Sequence, residues 1–163
     1  MNNSIILRTL GVAAIFSSST ASSTTSCLPC IDRSQVKIGV VHHGHLDDPY
    51  WDSMDVAIEQ GAKDMGAKLI MRDDPISEGA SQDEINDQMM KEIEEYCTNG
   101  QVDAILVSLP NEQVLKSLQP CLDNDIPVAV FNSGYEMAIR DGIIYFGMDE
   151  RQGGYAAGLE LAR

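Results

Sequence analysis

The stretch that decides the fold is VKIGVVHHGHLDDPYW, residues 36–51. It begins with a largely apolar run, Val36 to Val41, which predicts a strand that is buried on both faces. A polar loop follows, and the aromatic pair Tyr50 and Trp51 then opens a helical pattern. In a parallel α/β fold this order places both rings at the carboxyl edge of the first strand, where open sheets bind ligands. Two large rings at a water-facing edge indicate a ligand with an apolar face.

Strand-like segments alternate with helical segments along the rest of the chain. Beyond the first strand, the predicted strands are short apolar runs at 67–71, 104–108, 128–131 and 143–146. Single helices between successive strands predict a parallel sheet with right-handed crossovers. We predict no helix between the last two strands. The expected class is therefore α/β, with a Rossmann-like doubly wound parallel sheet.

The predicted helices have recognisable beginnings and ends. The first helix is expected to stop at Gly66, because glycine favours the left-handed conformation that ends helices. A capping box at Ser81–Glu84 predicts the start of the second helix. A third helix at roughly 111–123 should kink at Pro120, because proline has no backbone N–H donor. Asn124 is then expected to adopt the left-handed conformation.

The charge of the chain excludes one large class of functions. The 163 residues are enough for one domain with its own core, and the formal net charge is −14. Proteins that bind nucleic acids need clustered positive charge to neutralise phosphates. We therefore predict no nucleic-acid partner.

Residues 1–26 have the layout of a secretory signal peptide. Arg8 precedes an apolar stretch, Leu10 to Phe16, and a run rich in serine, threonine and alanine follows. The apolar stretch is too short to span a bilayer. An organelle transit peptide and a disordered tail are the alternatives. The signal-peptide interpretation predicts a secreted or periplasmic mature chain, in which residues 27–35 are a linker.

The four cysteines fall into two pairs. Cys27 and Cys30 form a CxxC motif that precedes the first strand, away from any helix N-terminus that would lower a thiol pKa, so a structural role is favoured over a redox role. Cys97 and Cys121 each lie near the C-terminal end of a predicted helix. Consecutive crossover helices are neighbours on one sheet face. We predict a disulfide between Cys97 and Cys121, with two buried free thiols as the alternative.

Three histidines cluster directly after the first strand. Adjacent strand residues point to opposite faces, so His42 and His43 are poorly placed to bind one metal ion together. His43 and His45, with Asp47 as a third ligand, could bind a metal such as zinc. We favour the simpler interpretation that the histidines line a wet cleft, and we predict no metal or cofactor.

Three longer stretches carry a resemblance to a known family. They are DDPYWDSMDVAIEQGAKDMG at 47–66, VDAILVSLPNEQVLKSLQPCLDNDIPVAVFNSG at 102–134 and GMDERQGGYAAGLELA at 147–162. Together they resemble type I periplasmic binding proteins, in the sugar-binding, ribose-binding-like branch. The resemblance implies two Rossmann-like lobes with a ligand in the cleft between them. Residues 36–133 would form the first lobe and 134–163 an incomplete start of the second, so we expect a truncated fold.

The resemblance also implies a set of ligand-binding residues. Tyr50 and Trp51 match positions at which the family stacks aromatic rings on a sugar, although Trp51 could instead pack onto the sheet. The other implied ligand contacts are Asp47, Asp48, Ser108, Asn111, Asn132, Ser133 and Asp149. For Asp48, Asn111 and Asp149, capping of a helix N-terminus is the alternative.

We therefore expect non-catalytic binding of a small sugar or polyol, with a membrane transporter or receptor as the partner. The ligand-sensing core of a transcriptional regulator is similar in fold, but it needs a helix-turn-helix where this sequence has a signal-like segment. A small α/β enzyme is a further alternative. The sequence has neither a glycine-rich phosphate loop after the first strand nor a nucleophile elbow, so we expect no catalytic residues.

Overall fold

Five strands form a parallel sheet in the computed structural model, which describes residues 32–45, 48–72, 76–77 and 79–163. In chain order the strands are β1 (Lys37–Val41), β2 (Lys68–Ile70), β3 (Ala104–Val107), β4 (Val128–Phe131) and β5 (Ile144–Phe146). Their order in the sheet is β2-β1-β3-β4-β5, and each neighbouring pair is parallel. The predicted parallel α/β sheet is confirmed. The expected signal peptide, the CxxC motif and Asp47 lie outside the described residues.

Six helices accompany the sheet in the described part of the chain. They are α1 (Pro49–Met65), α2 (Gln82–Thr98), α3 (Glu112–Ser117), α4 (Gln119–Asp123), α5 (Tyr135–Arg140) and α6 (Glu150–Leu161). The main apolar core lies where α2 to α5 cover the sheet, and its fully buried members include Met89, Ile105, Leu118 and Val130. Among these helices, none combines the length and the apolar character that crossing a membrane requires.

Several of the predicted helix signals are confirmed. Gly66 ends α1 in the left-handed conformation, with φ 75°. Ser81 and Glu84 form both hydrogen bonds of the capping box at the start of α2. The predicted third helix is interrupted at Leu118 and continues as α4, with Pro120 in the first turn, where its missing N–H costs nothing.

Two local predictions are wrong. A helix, α5, lies between β4 and β5, where none was predicted, because six residues are too few to show a helical period in the sequence. Asn124 has φ −99° and is not left-handed; Asp125 takes that conformation instead, with φ 54°. The Asn124 side-chain amide donates to the carbonyl oxygens of Cys97 and Pro120. These hydrogen bonds hold Asn124 against the helix ends, so the chain reverses one residue later.

The position of β5 bears on the expected division into lobes. β5 pairs with β4 in the same sheet, with Ala129 opposite Ile144 and Phe131 opposite Phe146. β5 is therefore an edge strand of the sheet that β1 to β4 form. Helix α6 has no buried residue. That residues 36–133 form a first lobe and residues 134–163 begin a second stays a prediction.

The predicted disulfide joins α2 to α4. Cys97 and Cys121 are bonded, their Cα atoms are 4.6 Å apart, and both side chains are buried in the main core. The crossover geometry explains the pairing, since both helices end at the amino edge of the sheet on the same face. Because 24 residues separate the two cysteines, the bond restricts a substantial part of the unfolded chain.

Replacing both cysteines by alanine should lower the free energy of unfolding by about 3 kcal/mol, since the unfolded chain regains loop entropy. Urea unfolding of the oxidised protein and of the double variant measures the difference. Reduction of the wild type with a thiol should reproduce most of the loss. Peptide mapping without reduction provides the control, and finding Cys97 and Cys121 both alkylated would contradict the bond.

Candidate functional site

The Trp51 ring is packed between the carboxyl ends of two strands. It stacks on His42, which follows β1, with ring centroids 4.5 Å apart and planes 5° from parallel. Its edge contacts are to His43 at 4.8 Å and to Phe131 of β4 at 6.1 Å. Only 6% of Trp51 is exposed. Trp51 therefore packs onto the sheet, which was the alternative to a ligand contact. Contact of Trp51 with a ligand stays a prediction.

Gly44 allows the loop after β1 to lie directly on this indole. A Cβ atom added to Gly44 would stand 2.3 Å from Cγ of Trp51, far inside van der Waals contact. The Gly44 N–H donates to Nδ1 of His42 at 3.0 Å, which fixes the His42 ring for stacking. Sequence reasoning did not single out Gly44, although a glycine between three histidines was a visible signal.

Tyr50 is the exposed aromatic residue of this edge. Half of it is open to solvent, and its ring meets Trp51 edge-on with centroids 5.3 Å apart. The side-chain amide of Asn132 donates to the Tyr50 hydroxyl. Asn132 follows β4 and has a positive φ of 63°, a conformation that asparagine tolerates better than most residues. Two predicted site residues, 82 positions apart, are therefore in direct contact.

Ser108 holds the loop after β1 through two contacts with His43. Its side chain is fully buried, and its Oγ accepts from the His43 backbone N–H at 3.1 Å. Nδ1 of His43 lies 2.7 Å from the same oxygen, so the hydroxyl can donate to a neutral imidazole. Burial, and secondarily the nearby His42, lowers the pKa of His43 to about 4. Ser108 thus positions the loop, and a ligand contact by Ser108 stays a prediction.

Three predicted site residues cap helices. The carboxylate of Asp48 accepts from the backbone in the first turn of α1 at 3.0 Å, and that of Asp149 does so in α6 at 2.9 Å. The Asn111 side-chain oxygen accepts two backbone N–H groups of α3, at 2.9 and 3.1 Å. The capping alternative therefore holds for all three. Each retains further lone pairs, so ligand binding by these residues stays a prediction.

The end of β4 is tied to the start of α6. The Tyr145 hydroxyl contacts the carbonyl oxygens of Asn132 and Met148 at 2.8 and 3.0 Å and a carboxylate oxygen of Glu150 at 3.1 Å. Burial, then the hydrogen bond to Glu150, raises the pKa of Tyr145 to about 12. The neighbouring Ser133 has a buried Oγ with no hydrogen-bond partner among the described residues. Sequence reasoning missed Tyr145, because its role depends on strand pairing.

A buried ion pair supports the loop from the β2 side. Nε of Arg72 lies 2.9 Å from Oε1 of Glu92 on α2, and Nη2 of Arg72 donates to the His42 carbonyl oxygen at 3.1 Å. Burial raises the pKa of Glu92. Burial, and secondarily the Arg72 charge, lowers the pKa of His42 to about 4. Nε2 of His42 faces Oδ1 of Asp55 at 3.0 Å. This network was not predicted.

The alternative of a metal site has no support from side-chain geometry. Within the described ranges, no group of three histidine, cysteine, aspartate or glutamate side chains is arranged to bind a metal ion. His45 instead lies 3.9 Å from the Asp48 carboxylate. The suggested third ligand, Asp47, lies outside the described residues.

Comparisons with known proteins agree with the fold. Residues 38–163 match the model of the periplasmic binding protein domain family. The structure is similar to the crystal structure of a carbohydrate transporter from Acidothermus cellulolyticus 11B in complex with myo-inositol, at 26% sequence identity and a TM-score of 0.63. That alignment covers 76% of this chain, which spans 40% of the length of the transporter. None of the curated proteins compared with the chain matches it significantly.

Substituting Gly44 by alanine should displace the indole and lower the free energy of unfolding by about 1–3 kcal/mol, the usual cost of overpacking. Trp51 is the single tryptophan of the chain, so its emission maximum should also shift. Gly61→Ala on α1 is the matched control, because a Cβ there meets nothing within 4 Å. Unchanged emission and stability in Gly44→Ala would contradict the packing.

Acidification should destabilise the fold through two partly buried histidines, His42 and His43. Their pKa values are lowered from 6.5 to about 4, so the unfolded chain takes up these protons first. Their contribution to stability is complete above pH 6.5 and is lost progressively as the pH falls toward 4. Urea unfolding at pH 7.5, 6 and 5 should show a smaller loss for His42→Gln than for the wild type. Equal losses would argue against a buried neutral His42.

Proposed function

The chain belongs to the periplasmic binding protein domain family, and from this premise we propose that it binds a small sugar or polyol without changing it chemically. The observation that carries the proposal is the half-exposed Tyr50 ring, held by Asn132 at the carboxyl edge of the sheet. Parallel α/β sheets bind their ligands at this edge. The similar carbohydrate transporter in complex with myo-inositol supports the same class of ligand.

The chemistry of the edge suits a hydroxylated ring. The C–H face of a sugar or cyclitol can pack on the exposed side of Tyr50, which is already fixed by its contacts with Trp51 and Asn132. Ligand hydroxyls would donate to the Asn132 amide oxygen and to the Asp48 carboxylate, and a carboxylate accepts several donors at once. Ordering of Tyr50 before binding reduces the entropy cost of association.

We also assign a location and partners to this function. The chain would act outside the cytoplasm, as the family description implies, and a signal peptide at residues 1–26 would direct it there. A second lobe would complete the cleft and close over the ligand by a hinge motion. The closed, loaded form would then be recognised by a membrane transporter or receptor.

The full-length protein should bind myo-inositol or a monosaccharide such as D-ribose, which a rise in the thermal midpoint measures. Tyr50→Ala should weaken that binding about tenfold or more, because it removes the apolar face that covers the ring. Tyr155→Ala is the matched control, since Tyr155 is exposed on α6 and should leave the affinity unchanged.

Two results would contradict this function. One is a protein that no sugar or polyol stabilises, and the other is a Tyr50→Ala variant with wild-type affinity. Stabilisation by a nucleotide or a metal ion alone would favour the enzyme or metal-binding alternative instead.

A further inference from the structure

A small cavity lies beside Trp51, between the loop after β1 and the end of β2. Its volume is about 170 Å³, and its walls include His42, Trp51, Asp55 and Arg72. We call this cavity the side pocket. It has room for about five water molecules at roughly 30 Å³ each, which also suits a few carbon atoms with their hydroxyl groups.

Two buried polar atoms of the side pocket residues have no hydrogen-bond partner among the described residues. One is Oδ1 of Asp55, an acceptor, and the other is Nη1 of Arg72, a donor. Nε2 of His42 also lies 3.0 Å from Oδ1, but the two atoms lack hydrogen-bond geometry. Buried polar atoms are rarely left unpaired in folded proteins, because losing water without compensation is costly.

The Arg72 guanidinium is fixed before any ligand arrives. Glu92 holds its Nε at 2.9 Å, and the His42 carbonyl oxygen accepts from its Nη2 at 3.1 Å. Nη1 is the nitrogen that remains. A donor held in place by a buried ion pair loses little entropy when it binds a ligand.

The combination of groups selects one kind of ligand. A simple cation would meet the Arg72 charge, and a simple anion would meet the carboxylates of Asp55 and Asp52 in the pocket wall. A hydroxyl group is neutral, and it both donates and accepts. Hydroxyl groups of one ligand can therefore satisfy both kinds of atom, the acceptor Asp55 Oδ1 and the donor Arg72 Nη1.

We propose that the side pocket binds hydroxyl groups of a polyol, with Asp55 Oδ1 accepting and Arg72 Nη1 donating. The proposal rests on the proposed function and adds two ligand-binding residues that the family resemblance did not imply. Trp51 lines the side pocket and also contacts Tyr50, so the pocket borders the proposed sugar site.

A double-mutant cycle between protein and ligand tests the proposal. The affinities of myo-inositol, D-ribose and their monodeoxy derivatives are measured for the full-length wild type and for Asp55→Asn. At least one missing hydroxyl should weaken binding to the wild type about tenfold, as expected for a hydrogen bond to a charged group. The same loss should be clearly smaller in Asp55→Asn, because a neutral amide oxygen accepts a hydrogen bond more weakly than a carboxylate.

Asp64→Asn provides the matched control. Asp64 is an exposed carboxylate of the same helix, where it accepts from Gln60 at 2.6 Å, so this variant should keep the wild-type response to every deoxy ligand. Arg72→Lys is the second test, since lysine retains a charge for Glu92 but lacks Nη1. It should weaken binding of the intact polyol about tenfold, with thermal midpoints of the free variants reporting any loss of folding separately.

The outcomes separate the two proposals. If the wild type binds none of the polyols, the proposed function fails and the side pocket proposal fails with it. If the wild type binds a polyol but Asp55→Asn preserves every deoxy penalty, only the side pocket proposal is overturned, and the cavity holds water alone. Unchanged polyol affinity in a folded Arg72→Lys variant would also overturn it.

Discussion

The burial of the Trp51 indole is the interaction on which the edge of the sheet depends. The ring touches His42 at the end of β1, Phe131 at the end of β4 and Tyr50 beside it in α1. Aromatic contacts of this kind are directional, so they fix the orientation of the rings as well as their separation. The exposed Tyr50 ring is held in place because its buried neighbour is fixed. An apolar contact thereby determines the position of a polar, solvent-facing site.

Ionic groups hold the described start of the loop after β1 from the side of β2. Arg72 bridges Glu92 on α2 and the His42 carbonyl oxygen, and both partners of the ion pair are almost entirely buried. A buried ion pair contributes little net stability unless its hydrogen bonds are satisfied. Here Nη1 of Arg72 and Oδ1 of Asp55 have no hydrogen-bond partner among the described residues. Burying such atoms unpaired lowers the stability of the fold.

The sequence predicted elements with strong local signals and missed those without them. The β1 run, the capping box at Ser81 and the left-handed Gly66 each depend on residues that are close in the chain. The disulfide between Cys97 and Cys121 could be predicted because crossover handedness determines which helices are neighbours. Helix α5 was missed, since six residues cannot display a helical period. The pairing of β5 with β4 also goes beyond what a single segment shows, because it joins residues of two different strands.

The amino-acid sequence by itself determined the fold class and the edge of the sheet at which we propose a ligand, because hydrophobic period, helix caps and parallel connections are local or topological properties. Only the tertiary structure decided which residues at that edge face solvent. It buried Trp51 and exposed Tyr50, although the two are adjacent in the chain. It also brought Arg72 to His42 and Glu92, which are too far from Arg72 in the sequence for a hydrophobic period to predict the contacts. The physical reason is that exposure and charge pairing depend on packing between elements, which is a property of the whole fold.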